Sequence, residues 1–507
     1  MKTNSLFRLV TICIVTLLVT SCKKNTVDYA TLIPADAEEI VAFNIDQLIT
    51  KSGINDTENG AFRQSIIRMF SEGLSAQSVE HMQRVFDNPD ETGIDTKSPV
   101  YFFTTPSLSY PVTLAKVGNS RKLHTTFDVL VSQGVSEPLE KMDKYTFATL
   151  GHGRICIFTE SALLITTSYS KTQGVRDELV SLLNINENNI TQNPAFKEMA
   201  SANGDIRFKL GVESLEGLYP YLGATQGIEY LEGKNASFIG SLTFENGKIQ
   251  LGMDIFTEDQ QLKNLFEQQE KFTGKLNGVF TDKFPASILA YASAHINGDE
   301  LVRFVQNTPE MKPYLTDEYV RLLLEIFKSV NGDISVGLTD VNMDGVKLIA
   351  YAEARNGDIL KTLYDNQSLR IQKQSDNQYM GRTNGINIYF GIYNNWLYAT
   401  SDPTVAANVG QTFDRSLQQT EYAAALTGKP QYVAVDFKNI LSLPMVQFIK
   451  QMKSSQYDML FDFLARLSYL EVNGKTSNEA EINLYFNDKE TNALKQIVNY
   501  SRKFAGM

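Results

Sequence analysis

The sequence predicts an α+β protein with antiparallel sheets and packed helices, arranged as two internally related halves. Short alternating apolar segments joined by turn residues predict hairpins, and amphipathic segments between them predict helices. The same order of segments occurs twice along the 507 residues. Because hairpin patterns dominate over strand–helix–strand crossovers, antiparallel sheets are favoured over a doubly wound parallel sheet.

Each half opens on a proline and an alternating strand, and helical sequence follows. Pro34 precedes the first strand and Pro285 precedes its counterpart. In the second half, residues 316–330 predict a helix because apolar residues recur every three or four positions. The apolar residues that would share one face of this helix are Tyr319, Leu322, Leu323, Ile326 and Phe327.

Hairpins complete each half. Strand pairs are predicted within residues 154–167 and 386–400, the second with its turn at Asn394-Asn395. An Asn-Gly dipeptide between apolar runs favours a tight turn, which predicts turns at Asn246-Gly247 and Asn473-Gly474. The repeated order assigns residues 33–275 to a first α+β half and residues 283–505 to a second, as an internal repeat.

Residues 1–21 have the pattern of a secretory signal peptide. Lys2 and Arg8 form a basic start, and an apolar stretch follows at residues 9–19. That stretch is too short to cross a bilayer, which requires about 20 residues. We therefore expect residues 1–21 to be removed from the mature chain.

Residues 19–22, Val-Thr-Ser-Cys, resemble the bacterial lipobox. The resemblance implies cleavage before Cys22 and lipidation of its thiol, which makes residues 22–32 a lipidated tether. More than one acyl chain would hold the protein stably at a membrane. The chain is thus predicted to be a lipoprotein whose membrane partner is reached through an N-terminal anchor.

The residues after Cys22 indicate in which membrane a lipoprotein is retained and which side it faces. Lys23 stands where an aspartate would favour retention in the inner membrane, and no acidic run resembling a surface-export signal follows. We expect the outer membrane, with the protein facing the periplasm; the cell surface is the alternative.

Composition excludes other classes of function. The formal net charge of −11 argues against nucleic-acid binding, which normally requires a basic face. Once residues 1–21 and the lipidated Cys22 are set aside, Cys156 is the remaining cysteine, so no intramolecular disulfide is expected. Cys156 lies in an apolar, strand-like run, which favours a buried, inert thiol.

The lipobox, the opening Ile33-Pro34-Ala35-Asp36-Ala37 and the duplicated pattern together resemble an uncharacterised family of Bacteroidetes lipoproteins. That family is a domain of unknown function of similar length, and the resemblance covers residues 28–505. It implies no activity, cofactor or catalytic residue that could be assigned here.

The residues themselves form no recognisable catalytic pattern. The 4 histidines, His81, His124, His152 and His295, stand at no metal-ligand spacing, and no Gly-x-Ser-x-Gly motif occurs. We therefore predict no catalytic, cofactor-binding or metal-binding residue and no cofactor, and the chain is more consistent with a binding protein than with an enzyme.

One segment has the spacing of a calcium loop. Asp340, Asn342 and Asp344, followed by Gly345, match the first positions of such a loop. The twelfth position, which should be a bidentate glutamate, is Tyr351. A hairpin turn is the favoured interpretation, and calcium binding stays open.

Aromatic residues crowd the hairpin predicted at residues 386–400. Alternation would divide them between two sheet faces, as core packing or as a stacking platform for a sugar or an apolar ligand. Core packing is favoured. The residues are Tyr389, Phe390, Tyr393, Trp396 and Tyr398.

These observations predict a lipid-anchored cell-envelope lipoprotein with a non-enzymatic binding or scaffold role toward an unknown protein or small molecule. Two alternatives stay open: an envelope hydrolase that uses scattered carboxylates, and a periplasmic lipid carrier whose sheet shelters an acyl chain. Acidic residues converging in one pocket would favour the hydrolase. A continuous apolar cavity would favour the carrier.

Overall fold

The structure is a computed structural model. It describes residues 29–61, 63–64, 67, 75–108, 110–151, 153–167, 172–185, 187–212, 236–343, 345–383, 385–452 and 455–504. These residues divide into two compact units: one comprises residues up to Asp46 with Ile67–Ser201, and the other comprises Gln47–Ile66 with the chain from Ala202 onward. Helices accompany antiparallel strands in both units, so the predicted α+β class is confirmed.

The first unit contains one antiparallel sheet in the order β1-β2-β3-β7-β6-β5-β4. Its strands are β1 (Glu39–Phe43), β2 (Val100–Phe103), β3 (Val112–Lys116), β4 (Glu140–Met142), β5 (Tyr145–Leu150), β6 (Arg154–Phe158) and β7 (Ala162–Thr167). Helix α1 (Ile45–Ser52) begins in this unit, and its residues from Gln47 onward belong to the second. The helices that follow in the unit are α2 (Ala76–Asp87), α3 (Ser120–Ser132), α4 (Thr172–Leu182) and α5 (Pro194–Ser201).

Helix α3 closes the core of the first unit. Its Phe127 stacks on Phe158 of β6, with ring centroids 5.0 Å apart. Cys156 lies in the same cluster, fully buried and without a disulfide. Burial raises the pKa of the Cys156 thiol to about 12, so the thiol stays protonated at neutral pH. The predicted buried, inert cysteine is confirmed.

The second unit contains an antiparallel sheet in the order β8-β9-β10-β20-β19-β18-β11-β12-β13-β17-β16-β15-β14. Its strands are β8 (Ile206–Gly211), β9 (Ala236–Glu245), β10 (Lys248–Thr257), β11 (Ala290–Asn297), β12 (Val330–Asn342), β13 (Gly345–Ala354), β14 (Gln372–Ser375), β15 (Gln378–Thr383), β16 (Ile386–Tyr393), β17 (Trp396–Thr400), β18 (Gln431–Asp436), β19 (Leu467–Gly474) and β20 (Glu479–Phe486).

The second unit also contains helices that connect its strands or follow the last one. They are α6 (Gln260–Phe272), α7 (Gly298–Asn307), α8 (Glu318–Ser329), α9 (Asp358–Asp365), α10 (Pro403–Ala407), α11 (Ala423–Leu426), α12 (Phe437–Leu441), α13 (Pro444–Gln451), α14 (Ser455–Leu464) and α15 (Ala493–Phe504). Within it, the strand order β11-β12-β13-β17-β16-β15-β14 matches the order β1-β2-β3-β7-β6-β5-β4 of the first unit, strand for strand.

Three predicted hairpins are present where the sequence places them: β6–β7, β9–β10 and β16–β17. Strands β6 and β7 pair within residues 154–167, and β16 and β17 pair around Asn394 and Asn395. Both asparagines have positive φ, 49° and 64°, the conformation that a tight turn requires. Gly247, between β9 and β10, has φ 65° and makes the turn predicted there.

The hairpin predicted around residues 473–475 is present, because β19 and β20 pair, but its turn is not at Asn473-Gly474. Both residues belong to β19, where they pair with Glu481 and Ala480. Asn473 is buried and donates its side-chain N–H to Glu471 Oε1 at 3.1 Å, which holds it in the strand. The chain therefore turns later, between Lys475 and Asn478.

Glu471 is the centre of a buried polar cluster. Its Oε1 accepts hydrogen bonds from the side chains of Asn473, Asn483 and Tyr485 at 3.1, 2.9 and 3.0 Å, and its Oε2 from the hydroxyl of Tyr432 at 3.0 Å. Burial, with the charge of Glu471 beside them, raises the pKa of Tyr432 and of Tyr485. Both hydroxyls therefore remain donors, and the carboxylate can be buried because its oxygens are bonded.

Removing this carboxylate should destabilise the second unit. In Glu471→Leu, a change to an apolar side chain of similar size, the buried donors of Asn473, Asn483 and Tyr485 would lose their shared acceptor. We expect the free energy of unfolding to fall by at least about 3 kcal/mol, measured by urea denaturation. Glu490→Leu, at an exposed position, is the control and should change it by less than about 0.5 kcal/mol. Equal stability of both variants would contradict the importance of this cluster.

Candidate functional site

The sheet of the second unit has two chemically different faces, since side chains alternate along each strand. On one face lie Glu471 and a set of buried tyrosines. These tyrosines are Tyr291, Tyr351, Tyr398, Tyr432 and Tyr469. We call this the tyrosine face.

The opposite face, the aliphatic face, carries a row of small and branched apolar side chains. Direct strand partners place them side by side from β17 to β10. In order they are Ala399, Ala350, Val336, Ala292, Val433, Val472, Ile482 and Leu251. Val336, Ala292 and Val433 are exposed. An exposed row of this kind is unusual, because contiguous apolar surface normally marks a contact site.

At the β17 end of this row, helices α8 and α9 stand over the aliphatic face and border an open cavity. The floor combines small residues with larger apolar side chains on the same face of the strands. The small residues are Ala350, Ala352, Gly381 and Ala399, and the larger ones are Ile334, Ile388, Phe390 and Leu397. The walls are the apolar side chains of the two helices and the segment that follows them. They are Leu322, Leu323, Ile326, Phe327, Ile359, Leu360, Leu363, Leu369 and Ile371.

The cavity has a volume of about 770 Å³. This lies within the range of ligand sites, about 300–1,000 Å³, whereas protein cores contain few voids larger than a water molecule. Arg382 is the single charged residue among its described lining residues, with Thr383, Tyr351 and Tyr398 as the others that carry a polar side chain. A ligand in this cavity would therefore contact hydrocarbon almost throughout.

The apolar face predicted for residues 316–330 forms a wall of this cavity. Helix α8 begins after Asp317, whose Oδ1 accepts the backbone N–H of Tyr319 at 2.7 Å and caps the helix. Leu322 and Ile326 line the cavity, and Leu323 also lines it while remaining 52% exposed. The helix therefore presents its apolar face to an open space and not to a filled core.

The aromatic hairpin divides between the two faces, as alternation predicted. Tyr398 belongs to the buried core of the tyrosine face, and Trp396 packs against that core. Phe280 meets the Trp396 ring edge-on, with centroids 5.4 Å apart. Phe390 lies on the aliphatic side, lines the cavity and stacks on Tyr379. Core packing is confirmed for Trp396 and Tyr398, whereas Phe390 contributes to the cavity.

Sequence reasoning missed the cavity floor and helix α9. Ala350, Ala352 and Ala399 look unremarkable in sequence, because small residues in strands carry no signature of a site. The available signal was their alternation: Ala350 and Ala352 are two residues apart, so they share a face. Ile359, Leu360 and Leu363 have helical spacing, which would have identified the second wall.

Asp333 and His295 form an acid–histidine pair that has a structural role. Asp333 is fully buried, and its Oδ2 accepts the backbone N–H groups of Asn277 and Gly278 at 2.9 and 2.8 Å. His295 Nδ1 donates to Asp333 Oδ1 at 2.8 Å. The far side of the His295 ring is occupied by Gly274, where an added Cβ would lie 2.2 Å from Cδ2. This pair therefore fastens residues 274–278 to the sheet.

The other histidines occupy separate places. His81 contacts Thr126 Oγ1 at 3.1 Å, and burial lowers its pKa. His124 meets the edge of Phe158. His152 lies outside the described residues, as do Cys22 and residues 1–21. Among the described residues, no group of three or more His, Cys, Asp or Glu could hold a metal ion.

A family model described as a domain of unknown function, DUF4836, matches residues 29–494. The chain belongs to this family. The expected membership in a domain-of-unknown-function family is thus confirmed at that level. No curated protein matches the sequence.

Three crystal structures of TP0453 are similar to part of this DUF4836 chain. Crystal forms I, IV and III share 9%, 10% and 11% sequence identity with it. They cover 49%, 48% and 50% of this chain and 87%, 85% and 90% of their own, with TM-scores of 0.28, 0.27 and 0.27. At these scores the likeness carries no conclusion about function.

The calcium-like segment of this DUF4836 member lies at a hairpin. Asn342 at the end of β12 pairs with Gly345 at the start of β13. Asp340 Oδ2 accepts a hydrogen bond from the Asn342 amide at 2.8 Å, and Asp344 lies outside the described residues. Tyr351, at the twelfth position of the loop pattern, is buried in a strand. The hairpin, which was the favoured interpretation, is confirmed, and calcium binding stays open.

Among the described residues, no helix combines the length and the apolar sequence needed to cross a bilayer.

Proposed function

We propose that this protein is a lipid-anchored envelope lipoprotein that binds the hydrocarbon chain of a lipid, without catalysis, in the cavity of its second unit. This selects the lipid carrier from the alternatives that the sequence left open. The observation that carries the proposal is the cavity of about 770 Å³ between its floor and helices α8 and α9.

The lining favours hydrocarbon over a polar ligand. A sugar or peptide would lose hydrogen bonds to water on entering a site with so few polar partners, at a cost of about 1–3 kcal/mol for each unpaired group. A methylene group instead gains about 0.8 kcal/mol when it leaves water. A chain of methylenes therefore matches this lining, and a hydrophilic substrate does not.

The aliphatic face offers room for a chain longer than the cavity. The floor residues Ala399 and Ala350 continue across the sheet through Val336 and Ala292 to Val433, and the last three are exposed. A hydrocarbon chain leaving the cavity in this direction would meet further apolar surface. This continuity favours an extended acyl chain over a compact apolar molecule.

The predicted N-terminal anchor fits such a ligand. Lipidation at Cys22, after cleavage of the signal peptide, would hold the protein at the outer membrane of a Bacteroidetes-like envelope, facing the periplasm. Lipids are the abundant hydrocarbon ligands there. The family match adds no function of its own, so the proposal depends on the cavity and the lipobox.

The hydrolase alternative receives no support from the most buried of the described carboxylates, Asp205, Asp333 and Glu471. Each of them accepts hydrogen bonds from donors that hold the fold together. None of the three lines the cavity.

Filling the cavity should abolish lipid binding. In Ala350→Phe and Ala399→Phe, an added ring occupies space above the floor without displacing a packed neighbour. We expect the affinity for dansylundecanoic acid, measured by its fluorescence increase, to fall at least about tenfold, which corresponds to about 1.4 kcal/mol. Competition by palmitic acid and by a phospholipid would show which lipid class the site prefers.

The matched control is Ala424→Phe, which adds the same ring at an exposed position of helix α11. It should bind the probe as the unmodified protein does. Thermal unfolding monitored by circular dichroism verifies that all three variants are folded. Folded cavity variants that bind the probe with unchanged affinity would refute the proposed site.

The anchor is tested separately. In bacteria grown with an alkyne analogue of palmitate, the unmodified protein should be labelled because Cys22 carries the lipid. Cys22→Ala should be unlabelled and should retain its signal peptide, which mass spectrometry would detect. Cys156→Ala is the control and should be labelled normally, since its thiol is buried. Labelling of Cys22→Ala would show that the lipobox interpretation is wrong.

A further inference from the structure

Helix α13 and the residue that follows it expose an apolar stripe. Met445, Phe448, Ile449 and Met452 are all exposed, Phe448 by 61% and Met452 by 68%. Their spacing of three and four residues places them on one side of the helix, and Met452 continues its helical conformation. Leu443 and Val446 are half-buried, so they face the body of the protein.

The side chains of this stripe lie outside the buried core of the second unit. Monomeric proteins seldom expose a contiguous set of large apolar side chains unless the surface contacts something. Helix α14 adds Met459 and Leu460, which are also exposed. The apolar surface is therefore shared by two consecutive helices.

The two helices differ in charge from the rest of the chain. Residues 437–464, which include both helices, contain three lysines, Lys438, Lys450 and Lys453, and two acidic residues, Asp458 and Asp462, a net charge of +1, whereas the whole chain has a net charge of −11. A short amphipathic helix that exposes Phe and Met and carries lysine has the composition of an interfacial helix, which lies in the plane of a bilayer. Each lysine near an anionic lipid surface adds about 1 kcal/mol of attraction.

We infer that helix α13 is a membrane-contact element that inserts Phe448 and Met452 among the lipids of an anionic bilayer. The bilayer is favoured over a second copy of the chain because the proposed anchor at Cys22 would hold the protein beside it. This inference does not rest on the cavity, and either proposal can fail without the other.

The proposed anchor would make such contact frequent. Six residues lie between Cys22 and Tyr29, the first described residue, and an extended chain joining the two spans at most about 25 Å. A protein held this close to a bilayer has a high local concentration of lipid around it. A weak contact by one short helix can then be occupied much of the time.

Flotation with vesicles tests the inference in the absence of the anchor. The protein used is residues 23–507, which include every described residue and lack the lipidated cysteine. It should float with vesicles of equal parts phosphatidylethanolamine and phosphatidylglycerol. The double variant Phe448→Ser with Met452→Ser should reduce the bound fraction at least about tenfold, because both side chains leave the membrane contact. Lys450→Glu should reduce binding to these vesicles and not to vesicles of phosphatidylcholine.

The matched control is Met142→Ser with Met343→Ser, which removes two exposed apolar side chains elsewhere. It should float as the unmodified protein does. Phe448→Trp provides a second measurement: its added fluorescence should shift to shorter wavelength on vesicles and be quenched by brominated lipid chains. Equal flotation of the two double variants, or an unshifted and unquenched Phe448→Trp, would overturn the inference. Sedimentation showing a dimer that only Phe448→Ser with Met452→Ser dissociates would assign the stripe to self-association and overturn it too.

Discussion

The burial of Glu471 and Asp333 on one face of the sheet is the constraint on which the second unit depends. Each carboxylate accepts hydrogen bonds from several donors, so polar groups on the tyrosine face can be removed from water at a tolerable cost. Asp333 also fastens residues 277 and 278 across that face. The tyrosine face is thereby covered, and alternation leaves the aliphatic side chains on the other face.

The cavity follows from side-chain size on that second face. Ala350, Ala352 and Ala399 leave space where leucine or isoleucine would fill the gap beneath helix α8. Native interiors are packed as densely as organic crystals, so a row of small residues under two apolar helices creates a site and not a looser core. In a filled core these apolar side chains would pack against each other. In this cavity they are available to contact a hydrocarbon ligand.

Features encoded by local sequence were predictable. The strands of the hairpins at residues 154–167 and 386–400 follow from alternation, and helix α8 follows from its apolar spacing. The turn at Asn473-Gly474 was predicted wrongly because the buried bonds of Asn473 to Glu471 outweigh the turn preference of the dipeptide. The division into related halves at 33–275 and 283–505 stays a prediction.

Long-range features could not be read from the sequence. The cavity joins helix α8, helix α9 and strands β13 and β17, which only the strand order brings together. His295 and Asp333 meet because β11 pairs with β12. No motif near either residue in the sequence indicates this contact. The wall of the cavity was therefore predictable as an apolar helix face, whereas its floor was not.

The most direct test of the lipid-binding claim is photo-crosslinking with a palmitic acid analogue that carries a diazirine within its chain. After illumination of the purified protein, peptides are identified by mass spectrometry. We expect label on helix α8, helix α9 and strands β13, β16 and β17, and loss of that label when unlabelled palmitic acid is in excess. Label confined to other segments, or label that excess palmitic acid fails to displace, would contradict it.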